Sequence, residues 1–158
     1  MTDDLASLQT DFPVWITLPV QWGDQDAFGH VNNTVYLRWF ESARIEYSQR
    51  VGLAQVDATQ RVAPILAAVS CNYRRQIRFP DTVLVGARIS RLGRTSMTMQ
   101  HRVLSTANRE LSAEGDCVVV TYDYVTRRPI PIPSELRDAI ARVEGGSVSD
   151  LSAPPTPA

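Results

Sequence analysis

One long helical period followed by four strand-like segments limits what this chain can fold into. Beyond a stretch of turn and cap formers, Asp24 to Asn33, the residues Tyr36, Phe40, Ala43, Tyr47 and Val51 recur at a spacing that places them on one face of a helix. Asn32 or Asn33 supplies an N-cap, and Gly52 ends the helix. Its aromatic content predicts that it is largely buried and central. Ahead of it, VWITLPVQW reads as a strand, and Pro19 within that strand calls for an edge position or a bulge. Behind it come APILAAVSCNYRR, TVLVGARIS, SMTMQHRVL and ELSAEGDCVVVTYDYV, with turn chemistry at Pro80-Asp81, Leu92-Gly93-Arg94 and Ala107-Asn108. Joints this short imply antiparallel neighbours. SELRDAIARV then gives a short last helix with Ser134 as its N-cap.

The predicted class is α+β: one curved antiparallel sheet of about five strands wrapped around a long central helix, plus a short C-terminal helix. The 158 residues suffice for one domain with a substantial core and not for two. Residues 1–12 and 145–158 are expected to be flexible, the latter as a Gly/Ser/Pro-rich tail, which leaves 13–144 as the domain. A sheet of this kind has unpaired edge strands, and pairing with a second copy is the common remedy, so a homodimer or homotetramer is expected.

Charge excludes some functions. A formal net charge of -1 gives no broad electrostatic basis for nucleic-acid binding. No apolar run is long enough to span a membrane. The first residues lack the basic and apolar regions of a signal peptide, so a cytoplasmic setting is the default. Cys71 and Cys117 lie in apolar runs without paired spacing and read as buried thiols. All 16 Lys+Arg residues are arginine, a bias of the whole chain that marks no single site.

Chemistry-bearing residues concentrate between Asp24 and Asn33, where Asp24, Asp26, His30, Asn32 and Asn33 lie at the mouth of the long helix. Two readings are open from spacing alone. These residues can simply turn the chain and cap the helix. Alternatively, a carboxylate near the free N–H groups of a helix start supplies both a base and donors for a developing oxyanion. Asp24, Asp26 and His30 lack a further histidine or thiolate to complete a metal site, so no metal and no cofactor are expected.

The pattern W-x-D-x-D-x-x-G-H-V-N-N-x-x-Y-x-x-W-x-E-x-x-R, from Trp22 to Arg44, resembles the 4-hydroxybenzoyl-CoA thioesterase family of hotdog proteins. The HVNN segment is also similar to that of plant acyl-ACP thioesterases. The likeness extends through NYRRQIRFPDTV and RLGRTSMTM and so covers the domain without its tails. It implies a hotdog fold and hydrolysis of an acyl-CoA or acyl carrier protein thioester. It also implies Asp26 as general base or nucleophile and an oxyanion-polarising N–H at Asn33. Asp24 then belongs to the structure of the turn. The plant enzymes also use an Asn and a His after the Asp; His30 is retained, but Phe28 stands where the Asn would be. His30 is therefore a candidate without a settled role.

Glu41, with Arg38 and Arg44 three positions to either side, reads as a helix salt-bridge set and is a reserve catalytic candidate. His101 alternates in phase with Met97, Met99 and Val103 and reads as a packed residue. Arginines 74, 75, 78, 88, 91 and 94 gather around strand ends and one turn. In the family the nucleotide lies along this part of the sheet, which makes Arg91, Arg94 and Ser96 the candidates for substrate binding. Two other functions use the same residues: a hotdog enoyl-CoA hydratase or dehydratase built on Asp26 and His30, and a non-catalytic acyl-CoA binding module.

Overall fold

The computed structural model describes residues 4–53, 61–146 and 148–150. In chain order the elements are α1 (Leu5–Gln9), β1 (Val14–Pro19), a 3-10 turn (Trp22–Asp24), α2 (Asn33–Arg50), β2 (Val62–Val69), β3 (Asn72–Tyr73), β4 (Thr82–Leu92), β5 (Ser96–Ser105), β6 (Glu110–Asp123), β7 (Arg128–Pro129), α3 (Ser134–Val143) and β8 (Ser149–Asp150). The main strands lie in the order β1-β4-β5-β6-β2, all antiparallel, with β3 and β7 paired to β6 and β8 paired in parallel to β4. This is the hotdog arrangement, a sheet curled around one helix.

Helix α2 starts where Asn32, in extended backbone, accepts the Thr34 N–H on its side chain, and it stops at Val51, followed by Gly52 at φ 76. Its inward face is Val35, Tyr36, Trp39, Phe40, Ala43, Tyr47 and Ser48. Opposite it, alternate residues of the strands are buried: Val83, Val85, Ala87 and Ile89 on β4, Met97, Met99, His101 and Val103 on β5, and Ala113, Cys117 and Val119 on β6. Phe40 stacks on the His101 ring at 4.7 Å between centroids. At the far end of α2 the Tyr47 hydroxyl and the Ile89 N–H both donate to Glu144 at 2.6 Å, which ties helix and sheet to the end of α3.

Pro19 lies on an edge strand, one of the two positions the sequence allowed, because among the described residues β1 pairs with β4 alone. Expectations about one joint, one helix cap and one cysteine are corrected. The segment around Pro80-Asp81 does not join neighbours: β2 crosses to the opposite edge and pairs with β6, so of the three joints named from the sequence two, β4-β5 and β5-β6, are hairpins. Ser134 is the first helical residue of α3 and not its cap; Pro133 holds that position, its ring fixing the entry angle without a side-chain bond. Residues 4–12 carry helix α1, and Phe12 is buried beneath Arg88 and Arg102, whose guanidinium carbons lie 5.3 and 4.6 Å from its ring centre. Of the C-terminal stretch, residues 147 and 151–158 lie outside the described residues, and Ser149–Asp150 forms β8. Cys117 is buried, whereas Cys71 is only partly so.

Gly115 of β6 sits where the chain passes from β2 to β3, and a Cβ there would lie 2.0 Å from the Ser70 carbonyl oxygen and 3.0 Å from Phe40. The backbone approach requires glycine. Gly115→Ala is expected to cost about 2–3 kcal/mol, read as a Tm lower by roughly 5–10 °C in a calorimetric scan.

Candidate active site

The loop between β1 and α2 folds back on itself. Asp24 accepts the Gln21 N–H at 2.8 Å on its carboxylate and the Asn32 N–H at 2.9 Å on its carbonyl, and its carboxylate lies 4.0 Å from Arg38. Its contacts are those of a turn residue. Asp26 and His30 close the inner turn: Asp26 N–H donates to the His30 carbonyl and Gly29 N–H to the Asp26 carbonyl, each at 3.1 Å, with Gly29 at φ 80. Within this turn the Phe28 N–H donates to Asp26 Oδ1 at 2.9 Å. The Phe28 ring itself points into solvent, 83% exposed.

Three bonds dock the loop on the segment that follows β2. Val31 N–H donates to the Ile77 carbonyl at 2.8 Å, Phe79 N–H to Gln25 Oε1 at 3.1 Å, and Tyr73 Oη to the Asn33 carbonyl at 3.0 Å. A cavity of about 280 Å³ opens between the two, lined by Asp26, His30, Asn33, Tyr36, Tyr73, Arg74 and Arg75 among others. Asn33 is the first residue of α2, so its N–H has no intrahelical acceptor, and it finds none elsewhere among the described residues. A partly buried carboxylate and a free helix-start N–H therefore share one cavity.

The aromatic wall is uncharged at neutral pH. Burial pushes the Tyr36 phenol up to about 12 and raises that of Tyr73 as well; the two rings meet edge to face at 5.1 Å. Cations rim the mouth. Arg74 is engaged by Glu114 through Nε at 3.0 Å and Nη2 at 2.6 Å, while Arg75 lies 3.7 Å from Glu110.

The predicted site residues fall into two groups. Asp26, His30 and Asn33 come together in the cavity. Arg91, Arg94 and Ser96 do not join them: Arg91 lies near the end of β4, Ser96 begins β5 and Arg94 is in the turn between, where Arg94 O accepts from Ile132 N–H and Gly93 N–H donates to Ser96 O. β4 begins beside the Asp26 loop, since Val20 N–H donates to Asp81 O, and its eleven residues carry the chain ~30 Å to the other end of the sheet. Glu41 is exposed, and the salt-bridge set expected around it is not formed: Arg38 faces Asp24, and Arg44 turns inward toward Cys117. His101 is buried and neutral, with Nδ1 3.2 Å from the Gly86 carbonyl. Among the described residues no three His, Cys, Asp or Glu side chains form a cluster that could hold a metal.

Sequence reasoning missed Tyr36, Tyr73, Arg74 and Arg75 as lining residues. Tyr36 carried a usable signal, lying one turn beyond Asn33. Arg74 and Arg75 are among the arginines gathered at strand ends, but neither they nor Tyr73 is singled out by the sequence, because β3 brings them to the loop through pairing with β6, Tyr73 opposite Ala113.

The model of the thioesterase-like superfamily matches residues 20–140. The chain belongs to that superfamily. It is 30% identical to the chloroplastic acyl-acyl carrier protein thioesterase ATL3 of Arabidopsis thaliana over 77% of its own length and 64% of that protein. To the uncharacterized protein YsmA of Bacillus subtilis it is 25% identical, over 59% of its own length and 62% of that protein. The match thus spans a little under two thirds of each of these two relatives. Among solved structures, a thioesterase from Thermus thermophilus, complexed with coenzyme A and Zn, superimposes with a TM-score of 0.75 at 37% identity, covering 86% of this chain and 97% of that one. A member of the thioesterase superfamily from Jannaschia sp. CCS1 gives 0.80 at 28% identity, covering 94% and 92%.

Proposed function

We propose that this protein hydrolyses acyl-CoA thioesters to the free acid and CoA, with Asp26 and the Asn33 N–H as the reacting pair. The observation that carries the reading is their meeting in one cavity, the carboxylate held by its own turn and the N–H without an acceptor among the described residues. Water, deprotonated by Asp26, attacks the thioester carbon. The C–O bond forms as the carbonyl electrons move onto oxygen, which the Asn33 N–H stabilises. Collapse of that oxyanion breaks the C–S bond, and the departing thiolate takes the proton from Asp26. General-base action supplies a factor of ~10²–10⁴ and the oxyanion donor ~3 kcal/mol. Asp26 can also attack the carbon itself, giving a mixed anhydride that water opens. His30, on the cavity wall, is placed to orient substrate.

Acyl carrier protein is the alternative carrier, the one named for the Arabidopsis relative. Edge strand β2, where Ile65, Leu66 and Val69 are exposed, supports a homodimer or homotetramer. Arg91, Arg94 and Ser96 would then contact the nucleotide from a second copy, since their own chain holds them at the opposite end of the sheet. Two free cysteines suit a reducing, cytoplasmic setting.

The proximity of His30 to Asp26 keeps enoyl-CoA hydration as the second reading. Colorimetric thiol release from an acyl-CoA panel, run beside the absorbance of an enoyl-CoA, separates them. Thiol release is expected; absorbance loss without thiol indicates hydration, and tight acyl-CoA binding with neither signal indicates a binding module.

A further inference from the structure

We infer that Asn32 is a positioning residue for Asp26: the side chain that caps α2 with its oxygen holds the Asp26 carboxylate with its amide N–H. This rests on the proposal that Asp26 is the reacting carboxylate.

The orientation of the Asn32 amide is set by its neighbours. Its Oδ1 accepts from the Thr34 backbone N–H at 3.0 Å and from the Thr34 hydroxyl at 2.7 Å. A backbone N–H can only donate, so the atom facing the helix is oxygen, and the NH₂ group must point the other way. There Asn32 Nδ2 lies 3.5 Å from Asp26 Oδ2. The Asn32 main chain is fixed as well, its N–H given to Asp24 O at 2.9 Å and its carbonyl receiving Val35 N–H at 3.0 Å.

Each oxygen of Asp26 thus faces a donor, Oδ1 the Phe28 N–H of its own turn and Oδ2 the Asn32 amide. The second contact does what the first cannot. It references the carboxylate to the start of α2, where the next residue, Asn33, presents the free N–H. Base and oxyanion donor are thereby held to one frame by two consecutive residues, and small errors in such a frame are costly to the rate. At 3.5 Å the contact is long, which leaves Oδ2 room to take a proton from water.

Capping alone makes a different prediction. Asn, Asp and Ser cap helices about equally well, so a residue that only capped would tolerate either replacement. Asn32→Ser keeps the cap acceptor and removes the amide donor. Asn32→Asp keeps the acceptor and sets a second carboxylate against Asp26. The other titratable groups around the cavity, His30, Tyr36, Tyr73, Arg74 and Arg75, are the same in both variants, as is Asp24 behind the loop.

The test measures Tm, kcat, KM and the kcat/KM–pH profile on an acyl-CoA thioester for wild type, Asn32→Ser, Asn32→Asp and Asp26→Asn. The expected result is Tm within a few degrees for both Asn32 variants, kcat about tenfold or more lower in Asn32→Ser with KM little changed, and an acid limb moved up by about one pH unit or more in Asn32→Asp. Wild-type kcat and an unmoved acid limb in both, with Asp26→Asn inactive, would overturn the positioning role alone. An active Asp26→Asn enzyme would remove the Asp26 assignment and this inference with it.

Discussion

Asp26→Asn is expected to lower kcat/KM for thioester hydrolysis by about 10²–10⁴-fold while changing stability by no more than about 1 kcal/mol. The asymmetry follows from what the carboxylate does. Structurally, the Asp26 carboxylate accepts the Phe28 N–H at 2.9 Å and faces the Asn32 amide at 3.5 Å, and the rest of the turn is held by main-chain bonds between Asp26, Gly29 and His30. An asparagine oxygen accepts the Phe28 N–H equally well and only the long Asn32 contact is lost, so the main-chain frame of the loop and the α2 start is kept. Chemically, an amide cannot take a proton from water at neutral pH, and it is a poor nucleophile toward a thioester. Steady-state kinetics with a denaturation curve separates the two roles: a fall in stability matching the loss of rate would show Asp26 to be a turn residue only.

The second large effect concerns stability in acid. His101 is buried between α2 and the sheet, and its pKa is pushed down to about 3, chiefly by burial, with the nearby Arg44 charge adding to it. The folded protein holds this ring neutral down to about pH 3, whereas the unfolded chain protonates it near 6.5. The unfolded state therefore binds one more proton between those values, and the contribution present above pH 6.5 is lost as pH falls, by ~1.4 kcal/mol per unit. Glu144 acts in the opposite sense. Its carboxyl is raised by burial, so the folded state gains stability as pH falls through that group's titration. Asp123, held well below the usual carboxylate range by its bond to Arg61, loses its contribution only in stronger acid.

Because these terms overlap, the measurable quantity is a difference. His101→Gln keeps a donor for the Gly86 carbonyl and removes the titration, leaving Glu144, Asp123 and His30 common to both proteins. The stability of wild type relative to His101→Gln should fall by about 2.5 kcal/mol between roughly pH 7 and 4.5 in urea titrations. A difference independent of pH would mean that the ring titrates normally in the folded state.

The main elements were legible because their signals are local. The spacing of Tyr36, Phe40, Ala43 and Tyr47 marks the buried face of α2, and His101 in phase with Met97 and Met99 marks the inner face of β5. Pro19 limited β1 to an edge or a bulge without any knowledge of its partner, and the edge is what β1 occupies. What failed depends on tertiary placement. Nothing within APILAAVSCNYRR says that β2 crosses the sheet to pair with β6, since the register is decided by residues some fifty positions away. Glu41 has the spacing for helix ion pairs, but Arg38 and Arg44 are drawn to Asp24 and Cys117, which are remote in sequence. Ser134 has cap chemistry, and the proline before it takes the position.

The candidate site divides in the same way. Asp26, His30 and Asn33 were found together because one loop carries them. Tyr73, Arg74 and Arg75 reach the cavity through a strand of only two residues. Arg91, Arg94 and Ser96 are close to Arg88 in sequence, and that proximity says nothing about which end of a ~30 Å strand faces the reacting group.

The central claim is that Asp26 directs water to an acyl thioester. Its most direct test is hydrolysis of an acyl-CoA in oxygen-18 water by purified wild type and Asp26→Asn, with product mass and thiol release measured together. Free acid carrying one labelled oxygen per thiol released, formed by wild type and nearly absent with Asp26→Asn, is the predicted result. Intact acyl-CoA after prolonged incubation with the wild type, or equal labelled product from the Asp26→Asn variant, would contradict it.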